Sequence, residues 1–378
     1  MELSLSEDER MIRDAAADFL DGVSDSAAVR ACIEAEDGVD HDAWRRIAGE
    51  LGWCAVGIDE AHGGMGMGAL TEALLFEQAG RHLLCAPLFA TLALGANLLR
   101  SVADDGARER WLPGVAEGRV GLSAPLPATA DWTDAAENLE ARSDDAGWHL
   151  RGDVARVPDA AAVDTLLLFA RLPGDDGIGL FAVPSAAEGV TVRTRAGWDA
   201  TRRFAEVALR DVAAERVDDA GRLRSELPRA TALARLAIAA ETLGAAQQCL
   251  DLTTAYVAER KQFGRAVGSF QAVKHRCAEM MVAIEALRSG VHGAARLAET
   301  GTDTAALAAE CAALRARADT TGFFCAQEAI QLHGGVGFTW EYDPHLYFKR
   351  MQAAHHWLGT PEALRAEVAA HLFRAEAA

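Results

Sequence analysis

Three short stretches in the C-terminal third of the chain decide its fold: ERKQFG at residues 259–264, QLHGG at 331–335 and HWLGT at 356–360. Each contains glycine, which commonly ends a helix because it adopts positive φ without a clash of Cβ. The first two stretches directly follow long segments that are poor in glycine and proline. They therefore mark points at which long helices end and the chain turns.

The segments around these stretches predict a set of long helices. Residues 228–259, 271–299, 304–331 and 361–374 contain few residues that interrupt a helix. Helices of up to about 30 residues are longer than the average in globular proteins. Four such helices in succession favour a helical bundle.

The N-terminal region also predicts helices. Ser6 followed by Glu9 forms a capping-box pattern, and apolar residues recur behind it at helical spacing. Further helices are expected around residues 44–51, 70–80 and 88–102. The first part of the chain is therefore expected to be mostly helical.

From about residue 118 the pattern changes to short apolar runs separated by turn residues. TLLLF at 165–169 and GLFAV at 179–183 are examples, with Gly174 and Pro184 nearby. Apolar runs of this length between turn residues are typical of buried strands. The middle region is therefore predicted to be a β domain.

The chain is predicted to be mainly α with a middle β domain. We expect an N-terminal helical domain at residues 1–117, a β-barrel or sandwich domain at 118–222 and a C-terminal four-helix bundle at 223–378. A length of 378 residues suits two or three domains with a large buried core.

Composition excludes several classes of function. A net charge of −19 argues against broad binding to nucleic acid or to an anionic membrane, since both require a surplus of Lys and Arg. No apolar stretch reaches the roughly 20 residues of a membrane helix, and no signal peptide is indicated. The His and Cys residues lack metal-ligand spacings, so no metal site is predicted. We expect a cytoplasmic protein.

The three stretches resemble the flavin-binding signatures of the acyl-CoA dehydrogenase family, and the resemblance extends over nearly the whole chain. The phrase GRAVGSFQAVKH at 264–275 resembles actinobacterial members that work as α2β2 pairs in the degradation of steroids and bulky side chains. The resemblance implies FAD as the cofactor and α,β-desaturation of an acyl-CoA thioester. It also implies assembly as a dimer of dimers and reoxidation by electron-transferring flavoprotein.

The resemblance further implies which residues contact the cofactor. Arg260 matches an arginine that holds the FAD pyrophosphate, and a planar guanidinium suits a diphosphate. Phe263 and Gln271 match positions near the adenosine. In the family, such residues reach the FAD of a neighbouring subunit. The remaining implied contacts are Gln331, Gly334, Gly335 and Thr360.

The catalytic base that the family uses is missing. In many members, the residue before the Gly-Thr pair is a glutamate that removes the α-proton of the substrate, and here it is Leu358. Some relatives place the glutamate on a long helix before an arginine, and the matching residue here is Ala234. A positioned base contributes roughly 10² to 10⁴ in rate. Neither leucine nor alanine accepts a proton.

Glu241 is the remaining candidate for a catalytic base. It lies seven residues beyond Ala234, about 10.5 Å further along a helix and on nearly the same face. A carboxylate among small and apolar residues is a candidate general base. The alternative is a buried glutamate that pairs with an arginine of the bundle. Both roles remain open at the level of sequence.

The β-domain signatures that line the flavin pocket of the family are altered. SAP at 123–125 replaces Thr-Glu-Pro, ATAD at 128–131 replaces the Gly-Ser-Asp segment, and VPDA at 157–160 replaces Ile-Thr-Asn-Gly. The favoured interpretation is a subunit without a base that completes the FAD site of a homologous subunit. One alternative is a self-sufficient dehydrogenase that uses Glu241 or an unidentified base. Another is a flavin-free acyl-CoA lyase or hydratase.

Overall fold

A computed structural model of the chain describes residues 4–174, 177–219 and 221–376. The capping box predicted at Ser6 is present: the Ser6 hydroxyl accepts the Glu9 N–H at 3.2 Å, and the Glu9 carboxylate accepts the Ser6 N–H at 2.8 Å. A π-helical stretch, Phe89–Ala96, runs directly into the short helix that begins at Asn97. The N-terminal helices are α1 (Glu7–Val23), α2 (Ser26–Glu34), α3 (His41–Arg45), α4 (Gly68–Arg81), α5 (Asn97–Val102) and α6 (Asp105–Ala116).

The middle region forms a small β-barrel. Strands β2, β3, β7, β5 and β4 pair in a ring, which closes because β4 pairs with both β2 and β5. Strand β1 lies beside β4, and β6 pairs with β7. The strands are β1 (Leu122–Ser123), β2 (Leu139–Asp144), β3 (Gly147–Pro158), β4 (Thr165–Arg171), β5 (Ile178–Pro184), β6 (Val190–Arg195) and β7 (Phe204–Arg216).

The C-terminal region is a bundle of long helices. A two-stranded hairpin separates the first two helices, and a short helical turn follows the third. The elements are α7 (Leu223–Glu259), β8 (Lys261–Gln262), β9 (Arg265–Ala266), α8 (Gln271–Glu299), α9 (Thr304–His333), α10 (Pro344–Ala354) and α11 (Pro361–Glu376). The prediction of a mainly α fold with a middle β domain and a C-terminal helical bundle is confirmed.

Helix α10 was not predicted from the sequence. Two of its buried residues, His345 and Arg350, are polar, so hydrophobic periodicity gives little sign of the helix. Pro344 occupies the first helical position, where proline is well tolerated because its missing N–H would have no partner in the helix.

Two glycines allow α4 to cross α7 at backbone contact. A Cβ at Gly244 would lie 1.7 Å from the carbonyl oxygen of Glu77, and one at Gly80 would lie 1.9 Å from that of Glu241. Only glycine fits at such a crossing. The crossing fixes the position of Glu241 between the helical regions and the barrel.

In the described part of the chain, no helix combines the length and apolarity that crossing a bilayer requires.

Candidate functional site

Six of the predicted cofactor residues lie at one end of the bundle. The ring of Tyr256, near the end of α7, stacks on that of His333, at the end of α9, with a centroid distance of 4.4 Å. This contact brings the β8–β9 hairpin next to the turn after α9. We call this region the hairpin end. It contains the exposed residues Arg260, Phe263, Gln271, Gln331, Gly334 and Gly335.

Phe263 is presented at the tip of the hairpin. Gln262 pairs with Arg265, so Phe263 and Gly264 form a two-residue turn, and both have positive φ (52° and 78°). Such turns favour asparagine at the first position, because positive φ is uncommon for a bulky residue. The Phe263 side chain is nevertheless 92% exposed. A strained backbone that displays an apolar ring to solvent suggests a binding role.

The hairpin end also carries concentrated positive charge. Residues 260–275 contain four Arg and Lys residues and no Asp or Glu, in a chain with a net charge of −19. The Arg265 guanidinium lies over the Phe270 ring at 4.0 Å, and the Phe270 and Phe263 rings form an edge-to-face pair. Positive charge beside an exposed aromatic ring suits an anionic ligand with a flat ring system.

The stretch around Leu358 has the opposite character. Leu358 has a φ of 57°, like Phe263, but its side chain is fully buried. Its N–H donates to the carbonyl oxygen of Pro127 at 3.1 Å, and the N–H of Gly359 donates to that of Ala128 at 2.9 Å. We call residues 357–360 the Leu358 turn. Its two central N–H groups are occupied by carbonyls of the same chain.

Arg235 fastens the Leu358 turn to α7. This arginine is 1% exposed, and its Nε donates to the carbonyl oxygen of Leu358 at 3.0 Å. Its two terminal nitrogens each donate to Glu367 of α11 at 2.9 Å. A bidentate Arg–carboxylate pair has a fixed geometry. The turn is therefore held on one side by Arg235 of α7 and on the other by Pro127 and Ala128, which lie between β1 and β2.

Thr360 lies far from the other predicted cofactor residues. Its hydroxyl accepts the N–H of Ala363 at 3.3 Å and so caps the first turn of α11. Arg235 contacts the Leu358 turn, and Arg260 follows the same helix 25 residues later, roughly 37 Å along its axis. Six of the seven predicted cofactor residues thus lie at the hairpin end, and the seventh, Thr360, lies at the Leu358 turn.

Glu241 is paired within the core. Both carboxylate oxygens accept hydrogen bonds from Arg202, at 2.7 and 3.1 Å, and both residues are buried. The Arg202 guanidinium also lies over the rings of Phe89 and Trp357, at 4.5 and 5.5 Å. The geometry matches the structural role that the sequence left open. A carboxylate with both oxygens engaged by a buried arginine is poorly placed to remove a proton.

Further charged groups surround this pair. Arg350 donates to Asp199 at 2.7 Å, and both are buried. Asp159 is also buried, and one of its carboxylate oxygens has no hydrogen-bond partner among the described residues. Burial raises the pKa of Asp159 to about 7, an effect that Arg202 and Arg350 oppose. The sequence analysis did not predict this network of buried charges. The two successive arginines, Arg202 and Arg203, were the one feature of the sequence that indicated it.

The segments that would line a flavin, residues 123–127, the end of β3 and the Leu358 turn, are hydrogen-bonded directly to each other. The Ser123 hydroxyl donates to the carbonyl oxygen of Pro158 at 2.5 Å, and the Leu126 N–H donates to that of Arg156 at 3.0 Å. The same segment continues to Pro127, which accepts from the Leu358 turn. Since β3, this segment and the turn are in hydrogen-bond contact, the residues do not fit a flavin ring between them.

A small cavity lies between α4, α5 and α7. Its volume is about 30 Å³, and its polar lining includes Glu72, Asn97 and Arg100. Burial raises the pKa of Glu72, while Arg100, at 3.3 Å, opposes the shift. A cavity of this size holds one or two water molecules. It is too small for an acyl chain.

Comparison with known proteins agrees with the fold. Residues 6–119 match the model of the N-terminal domain of acyl-CoA dehydrogenases, and residues 228–373 match that of the C-terminal domain. The chain is 31% identical over 370 residues to acyl-CoA dehydrogenase IpdE2 of Mycolicibacterium smegmatis, covering 98% of this chain and 100% of that protein.

Two solved structures have the same architecture. The Tcur3481-Tcur3483 steroid ACAD G363A variant is 30% identical with a TM-score of 0.86, over 99% of this chain and 100% of that one. The ChsE4-ChsE5 complex from Mycobacterium tuberculosis is 23% identical with a TM-score of 0.85, over 98% and 99% of the two chains. From these matches over both helical regions and nearly the full length, the chain belongs to the acyl-CoA dehydrogenase family.

Proposed function

We propose that this chain is a subunit without a catalytic base that completes the FAD site of a homologous acyl-CoA dehydrogenase subunit. The assembly would carry out α,β-desaturation of an acyl-CoA thioester. One observation carries the proposal: the hairpin end is exposed and basic, whereas the Leu358 turn of the same chain is closed.

The hairpin end supplies groups that suit the diphosphate and adenosine of FAD, the cofactor of this family. Arg260 is exposed and offers a planar fork of donors to a diphosphate. Phe263 offers the face of an exposed ring to a flat ligand. Gly334 and Gly335 have open space where a Cβ would stand, so backbone approach is unobstructed.

The region around the Leu358 turn supports the view that this chain does not itself carry out proton abstraction. Leu358 and Ala234 are both buried and apolar, and Glu241 is engaged by Arg202. When bound, FAD accepts a hydride from the β-carbon of the substrate. The homologous subunit would provide the carboxylate that removes the α-proton. We propose that Glu241 stabilises the core instead.

The comparisons support a mixed assembly. One solved relative is described as a complex of two proteins, and another bears a paired name and is described as a steroid acyl-CoA dehydrogenase. A steroid-derived acyl-CoA is therefore a reasonable class of substrate. Electron-transferring flavoprotein is the proposed electron acceptor. The alternative of a flavin-free lyase or hydratase predicts a colourless protein both alone and in the complex.

The test is to purify the chain alone and together with a co-encoded homologue, and to record the flavin spectrum of each. We expect a colourless chain alone and a yellow complex that straight-chain or steroid side-chain CoA thioesters bleach. Arg260→Ala should release FAD from the complex, whereas Arg276→Ala, a matched change at an arginine already paired with Glu279, should not. A yellow chain that substrate bleaches in the absence of a partner would overturn the proposal.

A further inference from the structure

A surface groove lies where the barrel meets the start of α7. Its volume is about 430 Å³, and its walls include Ile178, Leu227 and Pro228. Arg224 lies at the rim and interacts electrostatically with Asp131. We call it the α7 groove. Its surface is mostly apolar, and its charged lining residues are Arg224 and Asp131.

Trp132 forms the inner end of the α7 groove. Its side chain is buried, and its indole N–H donates to the Thr231 hydroxyl at 2.8 Å. The indole packs against Phe169 of the barrel with a centroid distance of 5.0 Å. Because the ring is held by α7 on one side and by the barrel on the other, it fills the space between them.

The groove, the indole and the Leu358 turn follow one another along the same face of α7. Pro228 borders the groove, Thr231 binds the indole, and Arg235 binds Leu358. Spacings of three and four residues place these positions on one face, and the whole span is roughly 10.5 Å. The chain segment that ends in Trp132 also supplies the carbonyls that bind the Leu358 turn.

From this arrangement we infer that Trp132 is a plug that separates the α7 groove from the Leu358 turn. The inference rests on the proposed function, because it names acyl-CoA as the ligand that the plug excludes. An anionic head group suits Arg224, and an extended apolar arm suits the walls around Leu227 and Pro228. With the indole in place, such an arm ends at the groove and does not reach the buried turn.

The plug explains why this chain would not bind substrate, which loss of the catalytic base alone does not explain. Replacing a glutamate by Leu358 would remove proton abstraction and still permit substrate to bind unproductively. With Trp132 filling the space between the groove and the turn, this chain does not hold substrate that only the homologous subunit can convert. A bulky, hydrogen-bonded residue between groove and turn serves that purpose.

The experiment measures binding of octanoyl-CoA to the chain alone by calorimetry, with coenzyme A and octanoate as separate ligands. For Trp132→Ala we expect binding of octanoyl-CoA at least about tenfold tighter than for the unaltered chain. Neither coenzyme A nor octanoate should show that gain. Trp198→Ala is the matched control, since Trp198 is 63% exposed and absent from the groove lining.

Trp132→Phe provides a second variant in case the alanine variant does not fold. The smaller ring keeps the contact with Phe169 but cannot reach Thr231, so a smaller gain in binding is expected. Equal affinity of the unaltered chain and both variants would overturn the plug. This readout needs no flavin: tighter binding by a colourless Trp132→Ala chain supports the plug, whereas a yellow, bleachable chain alone defeats the proposed function separately.

Discussion

The hairpin end and the Leu358 turn use the same local backbone for opposite purposes. In each, a bulky residue with positive φ precedes a glycine with positive φ: Phe263 and Gly264 in one, Leu358 and Gly359 in the other. The first bulky side chain is 92% exposed and the second is fully buried. The conformation therefore does not decide the function, and the surroundings of each turn do.

The two turns also differ in how the cost of their backbone conformation is offset. A non-glycine residue in a sparsely populated region of φ and ψ costs about 1–3 kcal/mol. Burial of a leucine side chain contributes about 1.5–3 kcal/mol, which offsets the cost at Leu358. Phe263 gains no comparable burial within the chain. A binding partner that covers its ring would supply the missing stabilisation.

The largest effect is expected from breaking the ion pair that lies beneath the Leu358 turn. Glu241→Ala leaves Arg202 charged and buried without its partner, which should lower the free energy of unfolding by about 3–5 kcal/mol. Denaturant unfolding measures the change. Glu140→Ala, which breaks an exposed pair with Arg171, should cost much less. A Glu241→Ala chain that is as stable as the original would contradict a structural role for this residue.

A pH effect is expected from Asp159 in the same network. Its pKa is raised from 3.8 to about 7 in the folded chain, so its contribution to stability is fully present below about pH 4 and is lost as pH rises to about 7. The groups that face it are Arg202, Arg350, Glu241 and Asp199. At about 1.4 kcal/mol per pKa unit, the loss is at most about 4 kcal/mol.

Asp159→Asn isolates this contribution. The variant should lack that part of the fall in stability between pH 4 and 7, and thermal unfolding across this range measures it. Asparagine also tolerates the positive φ of 50° at this position. If the two proteins show parallel stability profiles, Asp159 is not the group that titrates.

Truncating the two bulky turn residues tests the comparison directly. Leu358→Ala should lower the free energy of unfolding by about 3 kcal/mol, because it leaves a cavity in the core. Phe263→Ala should change it by less than about 0.5 kcal/mol, as expected for an exposed position. Denaturant unfolding of both variants measures the difference. Equal losses would mean that the hairpin tip is packed in the isolated chain.

The smallest effect is expected from relieving the backbone at the hairpin tip. Phe263→Asn places a residue that accepts positive φ in the two-residue turn and should stabilise the isolated chain by about 0.5–1 kcal/mol. The same variant should weaken FAD retention in the complex, because the exposed ring is lost. Opposite signs in thermal unfolding and in flavin content are the expected result. A gain in both would argue against binding by Phe263.

The sequence predicted much of the fold and only part of the site. Long segments poor in glycine and proline indicated the helices, and the capping box at Ser6 indicated where the first helix begins. The six residues of the hairpin end were predicted as cofactor contacts because they stand in short motifs at or near helix ends, and their role stays a prediction. Thr360 was predicted separately, as the threonine that follows the active-site turn, and its hydroxyl caps α11.

The sequence by itself determined the order of helical, β and helical regions, the absence of a carboxylate at residues 358 and 234, and the basic segment after α7. These features depend on residues close together in the chain. Only the tertiary structure decided that Glu241 pairs with Arg202, which lies 39 positions away in the sequence. It also decided that Arg235 binds the carbonyl of Leu358, which lies 123 positions away. Burial and pairing arise when distant segments pack together, and local patterns carry no record of which segments meet.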